Sequence, residues 1–160
     1  EDLMPAHHRL QSLTSPWVYL LVLKPDETAM ARLTPPGDLA VKTLDGRACR
    51  TKDGLLKELA VTLAFPDYFG ENWDALEECL CDLSWVAGTG HLLLIEQAEA
   101  LLAGADKDYR TFISILRAAG AYWASEEAGR SPKPFHTVCV VTEERKSARR
   151  RWGLPLWKGR

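Results

Sequence analysis

His91-Leu92-Leu93-Leu94-Ile95-Glu96 is a short, continuous apolar run, and the segments on either side of it carry helical periodicity. A run of this kind suits a central strand covered by helices on both faces. Upstream, Asn72 is a good N-cap, and Trp73, Leu76, Leu80 and Leu83 fall on one stripe at three- and four-residue steps, which predicts an amphipathic helix. Before it, Lys52 to Leu63 places Leu55, Leu56, Leu59 and Leu63 at helical spacing, and Pro66 stops the pattern. Leu39 to Leu44, closing on Asp45-Gly46, reads as a strand with a turn behind it. Further back, Trp17 to Leu23 is β-branched and aromatic and ends at Lys24-Pro25-Asp26; a polar connector then runs to Asp38. Downstream, Gln97 to Leu102 reads as a short helix. Asp108 to Glu127 is the longest helical pattern, with Phe112, Ile113, Ile115, Leu116 and Ala119 on its apolar side. Gly129 to Pro134 breaks the chain, and Phe135 to Thr142 is a last buried strand. Strands separated by helices cannot be joined by tight hairpins, so the class is α/β with a small parallel sheet packed by helices. Three strands form its core. The strand from Trp17 either extends the sheet edge or serves self-association.

With 160 residues, 46% hydrophobic and 26% charged, the chain can bury one proper core, and its nine prolines and eleven glycines exclude collagenous and wholly disordered readings. The longest apolar stretches are too short to span a bilayer. Glu1-Asp2-Leu3-Met4 lacks the basic start and apolar run of a secretory signal, so Met4 is the expected natural start and a bacterial-type cytoplasm the expected compartment. Cys49, Cys79, Cys81 and Cys139 contain no Cys-x-x-Cys and have no suitably spaced histidine, so they read as buried or half-buried free thiols and not as metal ligands. No GxGxxG or phosphate-loop pattern follows any strand, and no cofactor is expected.

The net charge of -2 hides an asymmetry. From Glu58 to Asp106 there is no lysine or arginine, yet ten acidic residues stand there, six of them between Asp67 and Asp82. On a helical wheel Asp74, Glu77, Glu78 and Asp82 cluster away from Trp73, Leu76 and Leu80. Without cations at three- and four-residue spacing these acids repel one another, by a few tenths of a kcal/mol per pair on the order of magnitude known for isolated helices. One reading is a solvated acidic face, partly favoured by the helix N-terminus. The preceding loop, Pro66-Asp67-Tyr68-Phe69-Gly70-Glu71-Asn72, argues for more: two adjacent aromatics in a glycine-bearing turn are hard to bury together, and exposed aromatics beside charges make recognition patches.

The stretch Phe65-Pro66-Asp67-Tyr68-Phe69-Gly70-Glu71-Asn72-Trp73-Asp74-Ala75-Leu76-Glu77-Glu78-Cys79-Leu80 resembles the signature of the barstar family, small cytoplasmic inhibitors of secreted bacterial ribonucleases such as barnase. The likeness in element order extends from about Leu39 through Thr142. This divides the chain into an N-terminal extension with one strand (1–38), a barstar-like domain (39–142) and a basic C-terminal tail (143–160). The resemblance implies a nuclease-binding surface of Tyr68, Phe69, Gly70, Asn72, Trp73, Asp74, Glu77, Glu78 and Asp82, and no catalytic residue of the chain's own. It implies that Tyr68 packs on the catalytic region of a secreted barnase-like or other guanyl-specific ribonuclease, and that Asp74 and Glu78 meet its cationic phosphate-binding pocket. Glu78 stands where the best-known member has an aspartate, Glu77 where it has a tryptophan, and Ala118 where it has an acid on the long helix.

Two other classes compete with this. Asp74 and Glu78 as a catalytic carboxylate pair would share one helix face instead of flanking a substrate, and none of His7, His8, His91 and His136 lies in a motif that makes it a base. His91 and His136 open strands and read as polar boundary residues. The tail, with Arg145-Lys146, Arg149-Arg150-Arg151, Trp152 and Trp157, could form an RNA-binding arm in which cations alternate with stacking aromatics. The competing expectation, and the one adopted, is a tail that is solvated, folds back on the acidic surface or seats its tryptophans on the sheet; direct nucleic-acid binding is then not expected. The oligomeric state is open.

Overall fold

The structure, a computed structural model, describes residues 6–126, 130–145 and 152–158. In chain order its elements are α1 (Ala6–Leu10), β1 (Val18–Leu23), α2 (Ala29–Leu33), β2 (Ala40–Asp45), α3 (Lys52–Thr62), α4 (Trp73–Asp82), β3 (His91–Glu96), α5 (Asp106–Ala124) and β4 (Phe135–Thr142). Met4, Glu127, Gly129, Lys146 and Arg149 to Arg151, on which sequence expectations fall, lie outside the described residues.

All four strands pair in parallel, in the order β1-β4-β3-β2. The apolar run His91–Glu96 is an inner strand as its composition predicts, with Leu93 opposite Lys42 on one side and Thr137 on the other. The N-terminal strand extends the sheet, pairing with β4 from Val18↔Thr137 to Leu23↔Thr142. Alternation along the strands divides the apolar residues between two layers. Val18, Leu20, Leu44, Leu93, Ile95, Cys139 and Val141 pack with Leu55, Leu59, Leu76, Leu80, Phe112 and Leu116 of α3, α4 and α5. Tyr19, Leu21, Leu92, Leu94, Val138 and Val140 pack with Leu10 of α1, Ala29 and Leu33 of α2, and Trp157. The chain thus travels from β1 to the far edge across one face and returns through β3 to β4 across the other. Crossovers of a single hand require this when the direction of travel reverses.

The C-terminal segment closes the outer edge of β1. Leu20 N–H donates to the Pro155 carbonyl at 2.9 Å, and Trp157 N–H donates to the Leu20 carbonyl at 2.8 Å. The segment sends one tryptophan to each layer: Trp152 touches Tyr109, whose hydroxyl donates to the Trp152 carbonyl at 2.8 Å, and Trp157 meets Tyr19 edge-on at 4.8 Å. Both indoles are buried.

Several local expectations are corrected. The short helix at Gln97–Leu102 is a single 3₁₀ turn, Ala98–Ala100. Leu83 is the C-cap of α4 in the left-handed region (φ 44), outside the helix proper. His91 and His136 are buried, not polar boundary residues. The sheet's N-terminal end is covered: His91 lies against Trp123 (4.8 Å) and Phe135 (5.7 Å), and His136 under Trp17 (5.5 Å), with its Nε2 2.8 Å from the Ser12 carbonyl. Burial, reinforced by Lys133, Arg130 and Lys42, pushes His91 down to about 4.

Candidate protein-docking site

Helix α4 begins where Asn72 accepts a hydrogen bond from Ala75 N–H at 2.8 Å, a cap worth about 1 kcal/mol in such helices. Leu76, Cys79 and Leu80 are buried on the inner face, which ties the helix to the core beside α5. That spacing turns Asp74, Glu77 and Glu78 to solvent and leaves Asp82 half-buried. Among the described residues, no cation is paired with any of these four carboxylates. The face is therefore an unneutralised acidic ridge about two helical turns in length.

The loop before α4 resolves the problem of two adjacent aromatics by half-burying one against the core. Phe69 packs edge-on against the buried Phe65 at 4.9 Å; Trp85 contacts Phe65 at 6.3 Å and donates from Nε1 to the Leu63 carbonyl at 2.7 Å. Tyr68 is left 73% exposed. Its phenol is held above the usual range, first by partial loss of surrounding water and then by the charges of Asp82, Cys79 and Glu78. The left-handed turn falls at Glu71 (φ 55) and not at Gly70. Gly70 serves close approach instead: a Cβ there would stand 3.3 Å from Asn72 Nδ2 and 3.7 Å from Ala75 Cβ, crowding the cap.

The structure thus brings Tyr68, Asp74, Glu77, Glu78 and Asp82 to one surface and gives other work to the remaining expected residues. Asn72 and Gly70 build the helix start. Phe69 props the loop from inside. Trp73 is half-buried, stacked over Phe112 at 6.4 Å with the Lys52 ammonium 5.1 Å from its ring centre. Ala118 is exposed on α5 and supplies no carboxylate there. Lys52 and Lys57 were not singled out by sequence. Lys57 Nζ lies 3.5 Å from Glu71, so α3 borders the acidic loop with positive charge. The signal was present in the helical spacing of α3, but nothing in the sequence tells which loop passes beside it. Among the described residues no group of three or more His, Cys, Asp or Glu side chains could hold a metal, and no helix is long and apolar enough to cross a membrane.

A parallel α/β scaffold presents a capped helix with a one-signed exposed face next to a solvent-facing ring, an arrangement complementary in charge to a cationic surface. Residues 39–139 match the family model described as Barstar (barnase inhibitor), and the chain belongs to the barstar family, whose members inhibit barnase-like ribonucleases and are not enzymes. The match begins at β2 and ends within β4, so β1, α1, α2 and residues 152–158 lie outside it. No curated protein matches the chain. Among solved structures, a chain in "Structure of Drosophila ORC bound to AT-rich DNA and Cdc6" is similar at TM-score 0.45 and 12% identity, covering 88% of this chain and 47% of that one. A chain in the corresponding GC-rich DNA complex is similar at TM-score 0.44 and 12% identity, with 88% and 48% covered. This chain spans about half the length of each.

Proposed function

We propose that this protein inhibits a secreted barnase-like or other guanyl-specific ribonuclease from within a bacterial cytoplasm, by inserting the ridge of α4 and the ring of Tyr68 into its active site. One observation carries the reading: four carboxylates stand on one face of a capped, buried-backed helix and have no cationic partners among the described residues. A ribonuclease gathers Arg, Lys and His to hold RNA phosphates, so fixed carboxylates at matching places occupy that pocket and exclude RNA. Opposite fields also speed the encounter. The alternative of an RNA-binding tail loses its stacking aromatics, because Trp152 and Trp157 are buried in the two layers. The test is titration of the protein into RNA-cleavage assays of barnase and other secreted guanyl-specific bacterial ribonucleases. Wild type is expected to inhibit at least one of them stoichiometrically, and Asp74→Ala with Glu78→Ala to fold normally without inhibiting; equal inhibition by that double variant rejects the site.

A further inference from the structure

Helix α4 has no cation in its last turn, and none occurs in sequence between Glu58 and Asp106. The C-terminal carbonyls of a helix need donors from elsewhere, and the negative end of its dipole favours positive charge. Both arrive from the end of α5 and the connector behind it. Trp123 Nε1 donates to the Leu80 carbonyl at 2.7 Å, and Arg130 Nη2 donates to the Cys81 carbonyl at 2.8 Å. The Arg130 guanidinium lies over Trp123, 3.5 Å from the ring centre, and 5.6 Å from that of Tyr122. Farther along, Lys133 Nζ donates to the Gly88 carbonyl at 3.0 Å while its backbone N–H donates to the Trp123 carbonyl at 2.9 Å. A single connector therefore grips both ends of the loop that joins α4 to β3.

We infer that Arg130, stacked on Trp123, is the positioning residue of the acidic helix. Asp74, Glu78 and Asp82 repel one another along the helix, which favours fraying. Arg130 opposes this from the C-terminal end, with a hydrogen bond spent on a backbone carbonyl and not on a carboxylate. The ridge is held at that end while none of its carboxylates is paired by Arg130. Lysine would not replace it, because a flexible ammonium can neither lie flat on the indole nor aim a fixed N–H at Cys81. The binding consequence rests on the docking reading above: a last turn held less firmly within the complex lets the carboxylates leave their partners more readily, which speeds dissociation.

The experiment compares Arg130→Gln, Arg130→Lys and Trp123→Phe with wild type in the full chain. Amide exchange of the free protein is read residue by residue, together with association and dissociation rates for a ribonuclease that wild type inhibits. Losing a charge-assisted hydrogen bond should speed exchange in the last turn of α4 about tenfold in R130Q and R130K, with α3 unchanged. Trp123→Phe, which keeps the stack and deletes the donor to Leu80, should show a smaller effect in the same turn. Dissociation should quicken by roughly three- to tenfold with association unchanged, because the carboxylates that steer encounter are intact. Wild-type exchange in R130Q, a uniform rise across every helix, or full rescue by R130K would overturn the assignment. If wild type inhibits no ribonuclease, the docking reading fails, while the exchange data still decide the role of Arg130.

Discussion

Replacing Glu78 by lysine separates what the acidic face does to the fold from what it does for a partner. Glu78 is exposed, one turn from Asp74 and one turn from Asp82, with no cation paired to it among the described residues. Each like-charge pair at this spacing costs roughly 0.2–0.5 kcal/mol, and each opposite pair contributes a similar amount with the other sign. Glu78→Lys removes two repulsions and installs two attractions, which sums to a stabilisation of about 1 kcal/mol at low salt. For a domain of this size that raises Tm by about 2–4 °C. The gain should shrink at molar salt, where the screening length falls to about 3 Å. In the proposed complex the sign reverses: a lysine facing the cationic pocket is an uncompensated buried charge costing about 3 kcal/mol or more, over a hundredfold in Kd. Thermal unfolding followed by circular dichroism and inhibition titrations on the same preparation read both quantities. A more stable protein that no longer inhibits is the expected result. A fall of several degrees would show that Glu78 holds the fold, and undiminished inhibition would refute the docking site.

Tyr68→Ala should leave Tm within about a degree, because the ring is 73% exposed, and should weaken inhibition with a flatter salt dependence than the acid variants, measured as Kd against ionic strength. Acid should destabilise the fold through His91. Its folded-state value of about 4 lies below the ordinary 6.5, so the unfolded chain takes up the proton first and stability falls as pH drops through that window. The loss is about 3 kcal/mol, complete near pH 4, and urea titrations of His91→Gln should show a shallower slope between pH 6.5 and 4. Trp157→Ala should cost about 3–5 kcal/mol, read by the same titrations, since the indole is buried between Tyr19 and the Arg9 guanidinium, 4.2 Å from its ring centre. Cys49 should resist alkylation at pH 8 until the protein unfolds, because burial, with Glu58 and Asp45 nearby, pushes its thiol up to about 12.

The strands, the three long helices and the acidic face of α4 were legible because each obeys a local period: apolar runs for β3 and β4, three- and four-residue steps for Leu55 to Leu63 and Trp73 to Leu80. What stayed hidden depends on pairings between residues far apart in sequence. Nothing in Trp17 to Leu23 says that it lies beside Phe135 to Thr142, since an edge strand and a self-association strand share one composition. The histidines were misread for the same reason: a polar residue opening a strand looks like a boundary until the residues that cover it, Ser12 and Trp17 over His136 and Trp123 and Phe135 against His91, are placed. Within the site, the exposure of Tyr68 and the half-burial of Phe69 could not be told apart, because the choice is made by Phe65. Arg130 gave no signal at all, for its partner carbonyl lies 49 residues away.

The position of the two segments outside the family match explains how the fold tolerates its charged face. Taken alone, β2, β3 and β4 would leave Leu92, Leu94, Val138 and Val140 uncovered on the side opposite α4. Leu10, Leu33 and Trp157 seal that side, and each fully buried aliphatic side chain there contributes on the order of 1.5–3 kcal/mol. The repulsions along the ridge amount to only a few tenths of a kcal/mol apiece. Stability is thus added on the face of the sheet remote from the acidic ridge. In the proposed complex the carboxylates, freed from any stabilising duty, can be arranged for the partner alone.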